Sequence, residues 1–439
     1  LKNILKKGSI LYVIIPLILS FIGILFIFST GQLEHGNNTN LYLKQLLWVG
    51  LGIIFALFIV SIDYYYIVET SFIYYILGII LLVFTLLVGK EIKGAKSWLG
   101  MAGLGIQASE VMKICYILFY AKFLSSKSNT ESNFRTLIFA LGILIIPLSL
   151  VLLQPDLGTS IVFISIFITM TMVSTKNISI ILQGLITGLL MVILTLCYAY
   201  YQFYYLANSN NSPIAILDIL LLPNTFFAIA TILLVYTIIT FVIELFQPIT
   251  WINKFTTGSF IIGISFLMSG IATKILKPYQ WSRLLVFINP EFDRLGAGYN
   301  IIQAQIAIGS GGFSGQGFFN GTQNLRRFLP EKHTDFIYAI IAEETGFIGS
   351  FLVVFLYIIY FSMMIKIIFS AKDIEGSFIA TGIFTMFAIH TIINIGMNLG
   401  IAPVTGLPLP FISYGGSSYI TFIIAAALLL NIYNRRFIH

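Results

Sequence analysis

The sequence predicts an all-α, polytopic helical membrane protein with about twelve transmembrane helices, and two observations carry that prediction. Of 439 residues, 58% are hydrophobic and only 9% are charged, where a soluble domain is nearer half apolar and a quarter charged. The apolar residues also gather in runs of about twenty, the length that crosses a hydrocarbon core about 30 Å thick. A β-barrel would show short alternating segments instead.

In order, the runs lie near residues 9–29, 43–63, 72–89, 107–124, 136–153, 157–174, 177–200, 225–246, 258–275, 340–365, 377–399 and 417–434. With the N-terminus inside, the cytoplasmic loops collect Lys2, Lys6, Lys7, Lys122, Lys127, Arg135, Lys176, Lys254, Lys366, Lys372, Arg435 and Arg436. Both termini are then cytoplasmic and basic, as the positive-inside rule asks. Residues 2–7 precede a full-length run without a small-residue cleavage site, which suits a first transmembrane helix. The segment 201–222 is aromatic and polar, and its 214–222 run is too short to span, which places it at the outer interface.

The net charge of +7 sits mostly in loops, where it sets topology and meets anionic lipid, so it is no argument for nucleic acid. Cys115 and Cys197 lie inside apolar runs, without metal or disulfide spacing, and read as core residues. Two loops on the expected outer face are basic against the topological bias: Lys90, Lys93 and Lys96, and the stretch from Lys274 to Lys332. An anionic substrate at the outer leaflet or phospholipid headgroups would explain them.

That second stretch belongs to a polar, glycine-rich island at residues 276–334 between spans nine and ten. Long loops that carry carboxylates, bases and glycines tend to carry function. Asp293 is followed by Gly296, Gly298, Tyr299, Asn300 and Gln303; glycines beside a carboxylate let a bulky substrate approach. Asp293 reads either as a general base or as a cap of the helix starting near Tyr299. The run Gly309-Ser-Gly-Gly-Phe-Ser-Gly-Gln-Gly317 lacks the Lys-Ser/Thr ending of a P-loop, and a flexible re-entrant turn fits it better. Glu110 and Lys113 share one helix face as an ion pair or a substrate contact, because ionisable groups within a span pair or line a cavity. Asp156 sits at a helix junction, where capping competes with function. Glu343 and Glu344 suggest a polar cleft or a cation site. His390 reads as a hydrogen-bonded core residue.

Together these residues resemble the SEDS family (shape, elongation, division and sporulation), the membrane-embedded peptidoglycan polymerases RodA, FtsW and SpoVE. The matching motifs are Gly94-Ala95-Lys96-Ser97-Trp98, Gln107-Ala108-Ser109-Glu110 with Lys113, and Gln154-Pro-Asp-Leu-Gly-Thr159. They continue with residues 293–303, Phe328-Leu-Pro-Glu-Lys-His-Thr-Asp-Phe336, Glu343-Glu344, Pro408-Leu-Pro410 and Ser413-Tyr-Gly-Gly-Ser417, in family order. Gly321-Thr322-Gln323 is closer to the elongation member than to the division member.

The resemblance implies a glycosyltransferase that polymerises lipid II into glycan strands at the outer face of the bacterial cytoplasmic membrane during elongation. Asp293 falls on the family's essential aspartate and would deprotonate the acceptor's 4-hydroxyl. Lys96, Arg283 and Lys332, or a divalent cation (Mg or Mn), would stabilise the leaving pyrophosphate; no organic cofactor is expected. Substrate contacts are expected from Lys96, Trp98, Glu110, Lys113, Asp156, Arg283, Tyr299, Gln303, Lys332, His333, Asp335, Glu343 and Glu344. The implied partners are a class B penicillin-binding protein, which supplies transpeptidation, and other elongation-complex membrane proteins. The alternatives are a lipid II flippase, a septal polymerase and a non-catalytic scaffold. The sequence departs from the family pattern at Ala108, Ser97 and Gln316, where the family usually has proline, arginine and lysine. Family members generally have ten spans, so the chain reads as one SEDS-type domain, 1–439, with a helix pair inserted somewhere in 177–258.

Overall fold

The computed structural model describes residues 10–32, 40–92, 95–100, 105–127, 134–174, 178–206, 214–246, 250–275, 278–293, 296–326 and 328–436. The helices in chain order are α1 (Ile10–Gln32), α2 (Leu41–Ser61), α3 (Tyr64–Glu69), α4 (Ser71–Val88), α5 (Ala108–Lys127), α6 (Phe134–Leu153), α7 (Leu157–Ser174), α8 (Ile178–Ala199), α9 (Ala215–Leu220), α10 (Pro223–Phe246), α11 (Thr250–Ile275), α12 (Pro278–Ile288), α13 (Ala297–Gly311), α14 (Thr322–Leu325), α15 (Ile337–Ser370), α16 (Ile374–Leu399) and α17 (Gly416–Arg435). Among the described residues eleven helices are long and apolar enough to cross a membrane, so the chain is a multi-pass, all-α membrane protein. The remaining expected span is α5, which has the length but carries Glu110, Lys113, Lys122 and Lys127.

Contacts divide the chain into two compact units, residues 1–176 with 303–439, and residues 177–302. In the first, α16 and α17 form the centre: 67% and 78% of their most apolar stretches are buried, against 11% for α2 at the margin. Helices α5 and α7 pack directly on α16. Asp373 starts α16 by accepting from Gly376 N at 2.7 Å and from the Tyr64 hydroxyl at 2.6 Å. Gly400, at φ 76°, ends it in the left-handed conformation that glycine adopts without strain.

The basic segment after α4, read from sequence as a loop, is a three-stranded antiparallel sheet: β1 (Lys90–Ile92), β2 (Ala95–Leu99) and β3 (Ile106–Gln107). Trp98 stands opposite Lys90 on one side and Gln107 on the other. The strands pair backbone groups that no helix answers here. Lys93 lies outside the described residues.

In the second unit, α10 and α11 form a close hairpin against which α8 packs. Burial of apolar surface gives little drive for helix association inside lipid, so close backbones and hydroxyl bonds take that part. Gly263 and Gly270 bring α11 onto Leu233 and Phe227, where an added Cβ would come within 3.2 Å of each. Thr237 meets Ser259 at 2.8 Å and Thr195 meets Ser269 at 3.1 Å. The stretch after α8 is a π-helical turn (Tyr200–Tyr205), and α9 is six residues long, neither long enough to span. The 276–334 connection is also not the loop its polarity suggested. Much of it is helix, α12 and α13 with a 3-10 turn (Pro290–Asp293) between them.

Candidate active site

The 3-10 turn that carries Asp293 continues from α12. Asn289 organises it, its side chain accepting from Glu291 N at 3.0 Å and its carbonyl from Phe292 N at 3.0 Å. The Asp293 carbonyl accepts from Gly296 N at 3.2 Å. The glycines expected to open an approach to Asp293 have a more specific job. A Cβ on Gly296 would overlap the Asp293 carboxylate, and one on Gly298 would overlap the Pro290 carbonyl. Asp293 therefore sits half-buried against the backbone just ahead of α13. That is the position both a cap and a base would occupy. Tyr299 and Gln303, one turn apart on α13, and Arg283 on α12 are half-buried as well.

In the first unit, Glu343 and Glu344 stand just before a break in α15, where Gly346 takes φ 66°. The glycine-rich run docks on this break. Gln316 N and Gly317 N donate to the Glu343 and Glu344 carbonyls at 3.0 and 3.1 Å, and Phe347 N and Ile348 N donate to the Gly312 and Phe313 carbonyls at 2.9 and 3.3 Å. The backbone groups released by the break are thus answered by a second stretch of chain, the condition for non-helical backbone at membrane depth. The run is a fixed plug and not the flexible turn its composition suggested. Gln316 accepts from Thr322 N at 3.2 Å and donates to the Ser310 carbonyl at 3.3 Å.

Both carboxylates are buried and each is held through one oxygen. Glu343 Oε1 accepts from Gln323 N at 2.7 Å and Thr322 Oγ1 at 3.1 Å. Glu344 Oε1 accepts from Ser29 Oγ at 2.6 Å and Asn324 Nδ2 at 2.8 Å. Lys332 is buried too, and its ammonium donates to Asn324 Oδ1 at 3.0 Å. It therefore supports the Glu344 cluster through Asn324, and is not the open pyrophosphate contact expected from sequence. No group of three or more His, Cys, Asp or Glu side chains converges among the described residues.

Glu110 and Lys113 pair with each other. Lys113 Nζ lies 2.8 Å from Glu110 Oε1 and 2.8 Å from His390 Nε2, all three residues being at most 1% exposed. A lysine ammonium only donates, so His390 Nε2 accepts and its Nδ1–H points to the Pro408 carbonyl at 3.2 Å. Asp156 caps α7, accepting from Thr159 N at 3.0 Å and Thr159 Oγ1 at 2.7 Å. It also accepts from Gln107 Nε2 at 2.9 Å, which ties β3 to α7. Lys96 is exposed on β2 and Trp98 half-buried, its ring where a Cβ on Gly105 would press at 2.8 Å.

His333 and Asp335 belong to a turn over residues 331–336. His333 accepts Tyr414 N at 2.9 Å through its carbonyl, and its ring meets that of Tyr414 edge-on at 5.8 Å. Burial raises the Tyr414 phenol above its ordinary value, which keeps it neutral. Two buried residues that sequence reading passed over, Asn394 and Asn398, also bond this turn. The available signal was a pair of amides four residues apart inside an otherwise apolar span.

A family model for FtsW, RodA and SpoVE, described as cell cycle protein, matches residues 9–214 and 213–437. The peptidoglycan glycosyltransferase RodA of Treponema pallidum is 38% identical over 421 residues, 96% of each chain. Stage V sporulation protein E of Bacillus subtilis is 32% identical over 97% of this chain and 98% of its own. The peptidoglycan glycosyltransferase MrdB of Escherichia coli is 33% identical over 82% and 77%. The fold is shared with a chain of a peptidoglycan synthase complex at TM-score 0.67 and 22% identity over 98% of each chain. It is shared too with the rod shape determining protein RodA of Thermus thermophilus at TM-score 0.58 and 20% identity, over 98% and 97%. This protein belongs to the FtsW/RodA/SpoVE family.

Proposed function

We propose that this protein is a peptidoglycan glycosyltransferase that polymerises lipid II at the outer face of the bacterial cytoplasmic membrane, with both termini in the cytoplasm. The observation that carries the reading is the seating of Asp293, a half-buried carboxylate on a turn whose glycines leave room only for itself. Two relatives aligned along most of their length are named peptidoglycan glycosyltransferases. Gly321-Thr322-Gln323 supports a role in elongation.

The Asp293 carboxylate takes the proton from the 4-hydroxyl of the acceptor N-acetylglucosamine as that oxygen attacks C1 of the donor muramyl unit. The new bond is O4–C1, and the bond that breaks joins C1 to the pyrophosphate oxygen. Undecaprenyl pyrophosphate leaves with the bonding pair. A cation positioned at the leaving group would lower this barrier, and Arg283, on the helix that leads into the Asp293 turn, is the residue proposed for that task. The partner is a class B penicillin-binding protein that crosslinks the strands, within a larger elongation complex. A structural relative taken from a peptidoglycan synthase complex supports the pairing.

The test is a glycan-strand assay on purified full-length protein with labelled lipid II. Wild type should form strands, whereas Asp293→Ala and Asp293→Asn, folded by thermal unfolding, should form none. Strands at the wild-type rate from Asp293→Ala would sink the assignment. Transbilayer movement of lipid II that persists in that variant would support the flippase instead.

A further inference from the structure

The geometry points to Asn394 and Asn398 as positioning residues that hold the 331–336 turn, and with it the side chains of His333 and Asp335, against α16. The inference rests on the polymerase reading for what those side chains contact. The clamp itself rests on the hydrogen bonds that the two side-chain amides make to backbone carbonyls.

The two amides lie four residues apart on α16, and both are 0% exposed. Their Nδ2 groups converge on one acceptor, the Asp335 carbonyl, each at 3.1 Å. Each amide also makes a second bond that fixes its own orientation. Asn394 Nδ2 donates to the Leu407 carbonyl at 2.8 Å, and Asn398 Nδ2 to the Asn394 carbonyl at 2.8 Å. Asn398 Oδ1 accepts from Ala339 N at 3.1 Å in the first turn of α15, a donor it shares with the Phe336 carbonyl at 3.1 Å. The pair thus joins the 331–336 turn, the start of α15 and the loop ahead of α17. From the opposite side Ser413 Oγ donates to the Thr334 carbonyl at 2.6 Å and accepts Leu409 N at 2.8 Å, and Tyr414 N donates to the His333 carbonyl. Three consecutive carbonyls, those of residues 333 to 335, are therefore held by other elements.

Only a carboxamide suits these positions. Aspartate would lose the donors and bury a charge. Asn394→Leu would take the amide donor from the Leu407 carbonyl, and leucine at either position would leave the Asp335 carbonyl one amide donor in place of two; a buried group that loses its partner is expensive. Stability alone does not require two buried amides on one carbonyl. A turn whose side chains must stay within a fraction of an ångström of working geometry does, because a misplacement of about 1 Å costs on the order of 10²-fold in rate.

The experiment uses full-length protein in nanodiscs, as wild type, Asn394→Ala, Asn398→Ala, the milder Ser413→Ala, and Asp293→Ala as inactive control. Hydrogen exchange is followed in peptides covering residues 329–339, and polymerisation as kcat and KM for lipid II. Exchange there should accelerate in both asparagine variants, with the rest of the protein unchanged. For these variants kcat should fall about tenfold or more while KM stays within about threefold. Ser413→Ala should shift both readouts the same way by less, and it decides the matter where an asparagine variant does not fold. Unchanged local exchange, faster local exchange with unchanged kcat, or loosening spread over the whole protein would each overturn the inference. If wild type forms no strands, the polymerase reading fails, while exchange still judges the clamp.

Discussion

Replacing Lys113 by methionine should be among the most destabilising single changes in the chain. The substitution nearly preserves volume but removes the one donor to Glu110 Oε1, at 2.8 Å. Glu110 Oε2 has no hydrogen-bond partner among the described residues, so the variant leaves a buried carboxylate with no donor among them. Breaking a buried ion pair from one side costs about 3–5 kcal/mol, and His390 Nε2 loses its donor as well, about 1 kcal/mol more. Glu110→Gln strands the ammonium and should cost a similar amount. The double variant is neutral at both positions and should recover most of the loss, because apolar or neutral replacement of a buried pair is often tolerated. A double-mutant cycle on unfolding free energy, from denaturing-detergent titration of protein in mixed micelles, should give a coupling of about 3 kcal/mol or more. Coupling below about 1 kcal/mol, the range of solvated surface pairs, would refute the buried triad. It would return Glu110 and Lys113 to the set of open substrate contacts.

Other substitutions probe the site from its backbone. Gly296→Ala should leave the protein folded but push the Asp293 carboxylate aside and lower polymerisation on the order of 10²-fold; wild-type activity would mean that the carboxylate's position is not critical. Gly346→Ala should cost at least about 1–2 kcal/mol for the left-handed backbone alone, with added overlap against Gly315 N, read as a drop in Tm. Asp156→Ala should lose about 1–2 kcal/mol with the cap, and Asp156→Asn should restore most of it. An asparagine variant that is stable yet inactive would show that Asp156 meets substrate.

Much of the scaffold was legible because lipid imposes a simple rule: apolar runs of spanning length become helices. Even α5 was readable, since Glu110 and Lys113 at i,i+3 share one face of an apolar segment, as an ion pair or a substrate contact, and the structure pairs them. Its third member was not, because His390 comes from a helix 277 residues away and a lone buried histidine carries no address. The strands around Trp98 were missed because two to five residues between glycines show no alternation to read. The island was misread as loop for a related reason. Polarity marked it as outside the membrane, but α12 is eleven residues long and its buried described residues are Gln280, Trp281, Leu285 and Val286, too short a pattern to separate from irregular chain.

The broken helix shows what neither composition nor spacing could supply. At 34 residues, α15 would rise roughly 51 Å at 1.5 Å per residue, far more than a hydrocarbon core of about 30 Å requires. The part after Gly346, ending at Ser370, rises about 36 Å and is long enough to span alone. The part before it, from Ile337, therefore belongs at the membrane boundary, together with Glu343, Glu344 and the clamped 331–336 turn. Charge gathered at one boundary suits chemistry performed there on a membrane-anchored substrate. A translocation path needs polar groups distributed through the depth, whereas the buried Lys113, Glu110 and His390 are occupied with one another. The glycine-rich run resolves in the same way: its small residues let a backbone plug seat directly on the break and bond the carbonyls of Glu343 and Glu344.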